Sequence, residues 1–398
     1  MNISKRIDNM TFSEIRKFIP YSDEAKERGI EVYHLNIGQP DIKTPEEFFE
    51  AIKSFEGKTL KYENSHGIKE LINSFIKYYK SININLDKDD ILITNGASEG
   101  ILFALLTLCD FGDEIIVPEP YYTNYNNMAK MAGVKINSFR TYREDGFHIK
   151  SKDEILRNIS PNTKAMLICN PGNPTGVVYT REEVRLLCDI AVEKDLFIIV
   201  DEVYREFVYG EEKFTSFMYM EDVQDRIVLV DSISKRYSAC GARIGMLVCK
   251  NKLVSSEFMK LSQTRLSVSS LDQIGAAKLI DVTPQYLSDV NKEYEKRRDV
   301  LYEGLISIPG VSCEKPSGAF YIIAKLPLKD TNHFTKWLLT DFNLSNKTVM
   351  ITPAAGFYST EGLGLDEVRL SYCINCEDLK ASIEILRHGI IEYKKHFK

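Results

Sequence analysis

From about residue 91 the chain repeats one pattern, a short apolar block, a glycine-containing turn and a helix-like stretch. ILIT (91–94) leads through NGASEG into the apolar ILFALLTLC; DEIIVPEP, VKINSF, KAMLICN, LFIIVDE, RIVLVDS and ARIGMLVC follow as β-rich blocks. Several of these are apolar throughout and do not alternate, as strands buried on both faces of a largely parallel sheet do. REEVRLLCDIAVEKD (181–195), between two of them, has the length and 3.6-residue apolar spacing of a crossover helix. The prediction is a doubly wound α/β core with a mostly parallel sheet. Beyond residue 284 the pattern changes to a long charged helix (PQYLSDVNKEYEKRRDVLYEGLISI), a strand pair around GAFYIIAKL, a helix near HFTKWLLTDF, then VMITP, VRLSY and a terminal helix. This reads as a smaller α+β domain. The first 44 residues lack strand alternation and are expected to pack on it. The domains expected are therefore 45–283, a large one, and a small one built from 1–44 and 284–398.

Composition narrows the function. A chain of 398 residues has room for two domains at roughly 100 to 200 residues each. The net charge of −6 argues against a nucleic-acid footprint. The start of the chain has no apolar signal-peptide core, and no run of 18 uncharged apolar residues occurs, so the expectation is a cytoplasmic protein without a membrane partner. Eight cysteines, scattered mostly in apolar runs, suit reduced thiols better than a disulfide framework. Cys373 and Cys376 form a lone CxxC with no second pair to complete a zinc site, and the six histidines fall in no metal-ligand spacing, so no metal is expected.

Ligands of open α/β sheets bind at the carboxyl ends of the strands, and polar residues crowd there. Lys235 follows a buried strand among small residues (SISK), a setting that desolvates an amine and makes it nucleophilic enough for a Schiff base; a lysine that simply solvates a surface is the alternative. Asp201, after LFIIV, is a carboxylate whose burial demands a partner: a protonated ring nitrogen, an arginine, or the N–H groups of a helix it caps. Tyr204 either points at the same ligand or is an ordinary half-buried tyrosine. The turn Gly96-Ala97-Ser98 opens an apolar helix, where free N–H groups and the positive dipole end suit a phosphate; capping by Asn95 is the alternative. Ser232 and Arg243 would add a hydroxyl and a permanent charge there, although Arg243 serves equally well as a surface ion-pair partner.

Asn173, Asp201, Tyr204, the SxSK at 232–235 and Arg243 occur in an order and spacing that resemble the class I and II aminotransferases, fold-type-I enzymes that use pyridoxal 5′-phosphate. The likeness extends over LNIGQPDIKTP, YENSHGIKEL, TNGASEG, PEPYYTNY, NPGNPTG, VDEVY, PSGAFY and VRLSY. It implies that Lys235 attaches the cofactor and, once released, moves the proton between the substrate Cα and the cofactor as base and acid in turn. It implies Asp201 at the pyridine nitrogen, Asn173 and Tyr204 at the ring 3′-oxygen, and Tyr122 stacked on the ring, with Tyr121 as the adjacent alternative. Ala97, Ser98, Ser232, Arg243 and Ser234 would hold the phosphate, joined by Tyr62 from the neighbouring subunit of a homodimer. Arg369 would bind the substrate α-carboxylate, with Gly38 and Asn173 against the substrate. The phosphate turn departs from the family's glycine-rich form in having Ala97, a change that leaves its backbone donors in place. The function implied is ping-pong exchange between an amino acid and a 2-oxo acid, aspartate with 2-oxoglutarate first. Alanine or aromatic specificity, or a cystathionine β-lyase-type reaction, is the alternative.

Overall fold

A computed structural model describes residues 3–397. Strand β1 (Glu31–His34) precedes the seven strands of the main sheet: β2 (Ile91–Asn95), β3 (Glu114–Glu119), β4 (Lys135–Arg140), β5 (Thr163–Cys169), β6 (Phe197–Asp201), β7 (Ile227–Ser232) and β8 (Ile244–Cys249). Five short strands come after them: β9 (Ser312–Cys313), β10 (Tyr321–Lys325), β11 (Lys347–Met350), β12 (Thr352–Pro353) and β13 (Glu367–Ser371).

The main sheet runs β2-β8-β7-β6-β5-β3-β4, parallel except for β8, which is antiparallel to both of its neighbours. Neighbouring residues of each central strand enter different cores. Ile198 and Val200 of β6, with Met166, Ile168 and Leu229, face the helix Arg181–Glu193 through Val184, Leu187 and Cys188. Ile199, with Ala165, Leu167, Val228 and Val230, faces Ile101, Ala104 and Leu105 of the helix Gly96–Leu108. Because both faces are covered by helices, nearly every position is buried, Lys164 near the start of β5 being exposed and Phe197 at the start of β6 half-buried, which is why these strands show no alternation in sequence.

A third core collects the long helix Pro284–Ile306, the antiparallel strands β12-β13-β10-β9 and the terminal helix Cys376–His396. The N-terminal segment corrects the sequence expectation: it does contain a strand. Four-residue β1 pairs in parallel with β11, and Tyr33 and the following Leu35 enter the third core. Only Tyr33 of the strand itself is buried, so the apolar signal was too short to register.

The reversed direction of β8 gathers two polar segments at one edge of the sheet. Antiparallel neighbours need no crossover, so the short connection Ile233–Arg243 keeps both its ends at that edge. Strand β2 runs with β7, so the start of the helix Gly96–Leu108 reaches the same place. All eight cysteines are unpaired; Cys373 is buried and Cys376 half-buried. Among the described residues no helix is long and apolar enough to cross a membrane.

Candidate active site

A cavity of about 600 Å³ opens at the carboxyl ends of the parallel strands. Its walls include Ala97, Ser98, Tyr122, Asn173, Asp201, Tyr204, Ser232, Ser234, Lys235 and Arg243 from the sheet side, with Arg369 from β13 and Gly38 from the segment after β1. Twelve of the thirteen residues singled out in the sequence therefore share one cavity. Tyr62 does not; it is 82% exposed on the outer surface of the single chain.

Lys235 lies in the one-turn helix Ile233–Arg236, and its Nζ donates to the Gly38 carbonyl at 2.7 Å, with the Cys240 Sγ at 3.8 Å. Gly38 has to be a glycine, because a Cβ there would fall on the Tyr321 hydroxyl at 1.8 Å. Asp201 closes β6. Its carboxylate accepts from the Tyr125 hydroxyl at 2.9 Å and from the Val203 N–H at 3.3 Å, and among the described residues it meets no cation in an ion pair. The arginine-paired alternative for this residue is thereby removed. Burial pushes its pKa up to about 6, against the pull of those two donors.

Arg369 is the opposite case, a guanidinium only 1% exposed with no carboxylate partner among the described residues. One Nη donates to the Asn173 side-chain oxygen at 3.2 Å, the other to the Asn36 carbonyl, and Nε has no partner. The rings of Tyr321 and Phe357 flank it, 4.6 and 5.1 Å from its central carbon. Burial lowers its pKa, but an arginine so far above neutrality stays charged. Asn173 also approaches the Tyr204 hydroxyl at 3.5 Å, which in turn meets the Tyr321 hydroxyl at 2.8 Å. Burial lifts the Tyr204 hydroxyl well above the ordinary tyrosine range, so it remains a donor.

At the other end of the cavity the helix Gly96–Leu108 begins without a side-chain cap; the Asn95 side chain makes no capping bond. Its first-turn N–H groups are left for a ligand, as an anion site requires. Gly96 has φ +74°, and a Cβ there would strike the Arg243 guanidinium at 2.4 Å, so the turn and the arginine are built around each other. Arg243 is itself in the left-handed region at φ 56°, a conformation with a cost for any residue bearing a Cβ. The Ser232 hydroxyl donates to Ser234 Oγ at 2.7 Å and accepts from the Ser234 N–H.

Of the two adjacent tyrosines, Tyr122 lines the cavity, whereas the Tyr121 hydroxyl turns away to Asn126 at 2.7 Å. Sequence reasoning missed Tyr125, although it stands in the PEPYYTNY segment, and Tyr321, the residue that ends PSGAFY. Cys240 and Arg16 were missed as well, and nothing local marks either. Tyr125→Phe removes a donor from Asp201, so the carboxyl titration should move to higher pH. Carbon-13 NMR of the aspartate carboxyls, assigned with Asp201→Asn, is the check; an unmoved midpoint would show the contact to be without effect.

The donor set fits a phosphorylated pyridine aldehyde: a buried unpaired carboxylate for a ring N–H⁺, an uncapped helix start with an arginine for a phosphate, and a lysine for the carbonyl. Comparison with known proteins agrees. Residues 30–386 match the family described as aminotransferase class I and II. The chain is 32% identical to an aspartate aminotransferase of Bacillus subtilis over 98% of its own length and 99% of that protein. Its fold is similar to the crystal structure of an aspartate aminotransferase of Thermotoga maritima, with a TM-score of 0.88 and 30% identity, covering 98% of this chain and 100% of that one. An alanine aminotransferase of Pyrococcus furiosus is as similar, with a TM-score of 0.89 and 29% identity over 98% and 100%. With a family match that runs across both the sheet and the site, this chain belongs to the class I and II aminotransferases.

Proposed function

We propose that the cavity holds pyridoxal 5′-phosphate and moves an amino group between an amino acid and a 2-oxo acid, with aspartate and 2-oxoglutarate as the pair. The observation that carries this reading is a buried carboxylate and a buried guanidinium, each without an ionic partner among the described residues, lining the same cavity as Lys235. An uncompensated buried charge costs several kcal/mol, so two of opposite sign facing one space imply a ligand with complementary charges. When bound, the cofactor supplies a carbonyl for the amino group and a protonated ring that draws electrons from Cα.

The protein's own groups do the rest. Arg369 takes the α-carboxylate through its fork and so fixes the orientation of the Cα–H bond. Lys235, whose amine is within hydrogen-bond reach of the Gly38 carbonyl, removes the proton from Cα and delivers it again, so one group is both base and acid. Asp201 holds the ring proton. Asn173 and Tyr204 supply hydrogen-bond donors for the ring oxygen, and Tyr122 covers the ring face. Ala97, Ser98, Ser232, Ser234 and Arg243 hold the phosphate.

The active unit in this reading is a cytoplasmic homodimer in which exposed Tyr62 reaches the phosphate of the neighbouring subunit. The sheet-bearing part, 45–283, and the part formed by 1–44 and 284–398 act as its two domains. Aspartate is preferred on the names of the relatives, among which aspartate aminotransferases recur. The test is the absorbance of the purified protein with pyridoxal 5′-phosphate, titrated with aspartate, glutamate, alanine, phenylalanine and cystathionine. Conversion to the amine form by glutamate and aspartate is the expected result. Conversion by alanine or phenylalanine instead reassigns the substrate, and pyruvate released from cystathionine without a 2-oxo acid replaces the reading by a lyase.

A further inference from the structure

Glu119 closes β3 and is only 2% exposed, yet among the described residues its carboxylate meets no cation in an ion pair. The proposed function gives it no part. Its charge is instead met by four neutral donors from two consecutive residues. The Ser359 and Thr360 N–H groups donate to one oxygen at 2.9 and 3.1 Å, joined by the Ser359 hydroxyl at 3.2 Å, and the Thr360 hydroxyl donates to the other oxygen at 2.6 Å. Ser359 and Thr360 are themselves exposed, so this carboxylate, with a hydroxyl contact from Ser138 at 2.6 Å, is what fastens them. The backbone of Glu119 is fixed in turn. Its carbonyl accepts from the Thr141 N–H and hydroxyl, at 3.0 and 2.8 Å.

The segment so fastened is the one that surrounds Arg369. Its first end is β12, where Thr352 pairs with Arg369 itself. In its middle the Phe357 ring packs 5.1 Å from the guanidinium carbon, and the Phe357 carbonyl accepts from the Tyr121 N–H at 2.9 Å. The Tyr358 hydroxyl donates to the carboxylate of Glu367, two residues before the arginine, at 2.6 Å. Its far end is the pair of residues on Glu119. Among the described residues the guanidinium hydrogen-bonds only to Asn173 and the Asn36 carbonyl, so the flanking rings fix much of its aim. Three residues after Glu119, Tyr122 stands in the cavity wall. One buried carboxylate therefore joins the strand end that leads to the cavity wall to the segment that packs around the arginine.

We propose that Glu119 is a positioning residue for substrate binding: it holds the segment 352–360 so that Arg369 is aimed at the α-carboxylate before the substrate arrives. This rests on the transaminase reading, in which Arg369 takes that group. A carboxylate suits the task, because hydrogen bonds to a charged acceptor are stronger than neutral ones and its two oxygens can serve four donors. Every amino acid and 2-oxo acid presents the same α-carboxylate, so the effect is common to all substrates. It acts on binding and not on the proton transfer, which belongs to Lys235.

Steady-state kinetics of the cofactor-loaded protein with glutamate and with 2-oxoglutarate test this. Glu119→Ala should raise both KM values about tenfold, the order of one charge-assisted hydrogen bond, while kcat stays within about threefold. Affinity for pyridoxal 5′-phosphate, read from an absorbance titration, should not change. Glu119→Gln keeps an acceptor for Ser359 and Thr360 and should recover most of the loss. Ser359→Ala combined with Thr360→Val removes the two hydroxyl donors; it should raise KM in the same direction, and add little once residue 119 is already alanine. Should Glu119→Ala fail to fold, this exposed pair of substitutions carries the test alone. Unchanged KM values, a matching loss of cofactor affinity, or effects that simply add overturn the proposal. Failure of the transaminase reading looks different: the wild type itself would turn over no glutamate.

Discussion

Replacement of Lys235 by alanine should lower kcat/KM for amino-group exchange by at least about 10⁴-fold, since general acid–base transfer and nucleophilic attachment are lost together. Lys235 is the lysine of the cavity, and the three arginines there are too strongly basic to accept a proton near neutrality. Cys240 is the next proton-bearing group, 3.8 Å from Nζ, but its Sγ already donates to the Ser234 carbonyl at 3.2 Å. The fold should survive. The alanine variant leaves the Gly38 carbonyl without its donor, in a cavity that water enters, and the surrounding Gly38–Tyr321 packing does not involve the lysine. Half-reactions followed by absorbance, with unfolding by denaturant as the control, test this. A Lys235→Ala protein that folds and retains activity within tenfold of the wild type would remove the lysine from the chemistry. Small primary amines added to the variant should restore part of the rate, because they return a proton acceptor without changing the protein.

The second large effect concerns Asp201 and has opposite signs for activity and stability. Asp201→Asn should cost about 10² to 10³-fold in turnover, the range seen when a preorganised charge facing the reacting group is removed. The cofactor-free protein should gain stability. Burial raises the folded-state pKa of Asp201 from 3.8 to about 6. A carboxyl raised in this way binds more protons folded than unfolded between those values, so stability falls as pH rises through that interval. The shift corresponds to about 3 kcal/mol at neutral pH, fully regained below pH 4. Asparagine keeps the shape and carries no charge, so urea unfolding of the cofactor-free variant should lack this slope. At pH 7 the variant should be the more stable of the two, and at pH 4 the two should be nearly equal. Identical pH dependence in both proteins would mean that the carboxylate is not strained by its burial. The unpaired charge is thus a standing cost in the empty fold, one that a ring N–H⁺ would offset in the proposed function.

Much of the architecture was visible along the chain because the information is local. The runs LFIIV and IVLV are apolar at every position, and only a strand with both faces covered imposes that, so the parallel core and its helices could be drawn directly. Lys235, Asp201 and the turn at Gly96 were legible for a related reason: each follows an apolar block, and strand ends are where an α/β sheet binds. Strand β1 escaped because its four residues bury one side chain. Tyr125 escaped because its role depends on a partner 76 residues away.

The sequence by itself determined the fold class, the order of the elements and the residues gathered at the carboxyl edge, since these come from periodicity and from residues adjacent in the chain. The tertiary structure alone decided that Asp201 and Arg369 lack ionic partners among the described residues, that Tyr122 and not Tyr121 faces the cavity, and that Arg16 lines the same cavity as Arg369. Those properties depend on burial and on contacts between distant segments. The Asn36 bridge that sets Ile15 beside Arg369 joins residues 15, 36 and 369, and no local pattern encodes such a meeting.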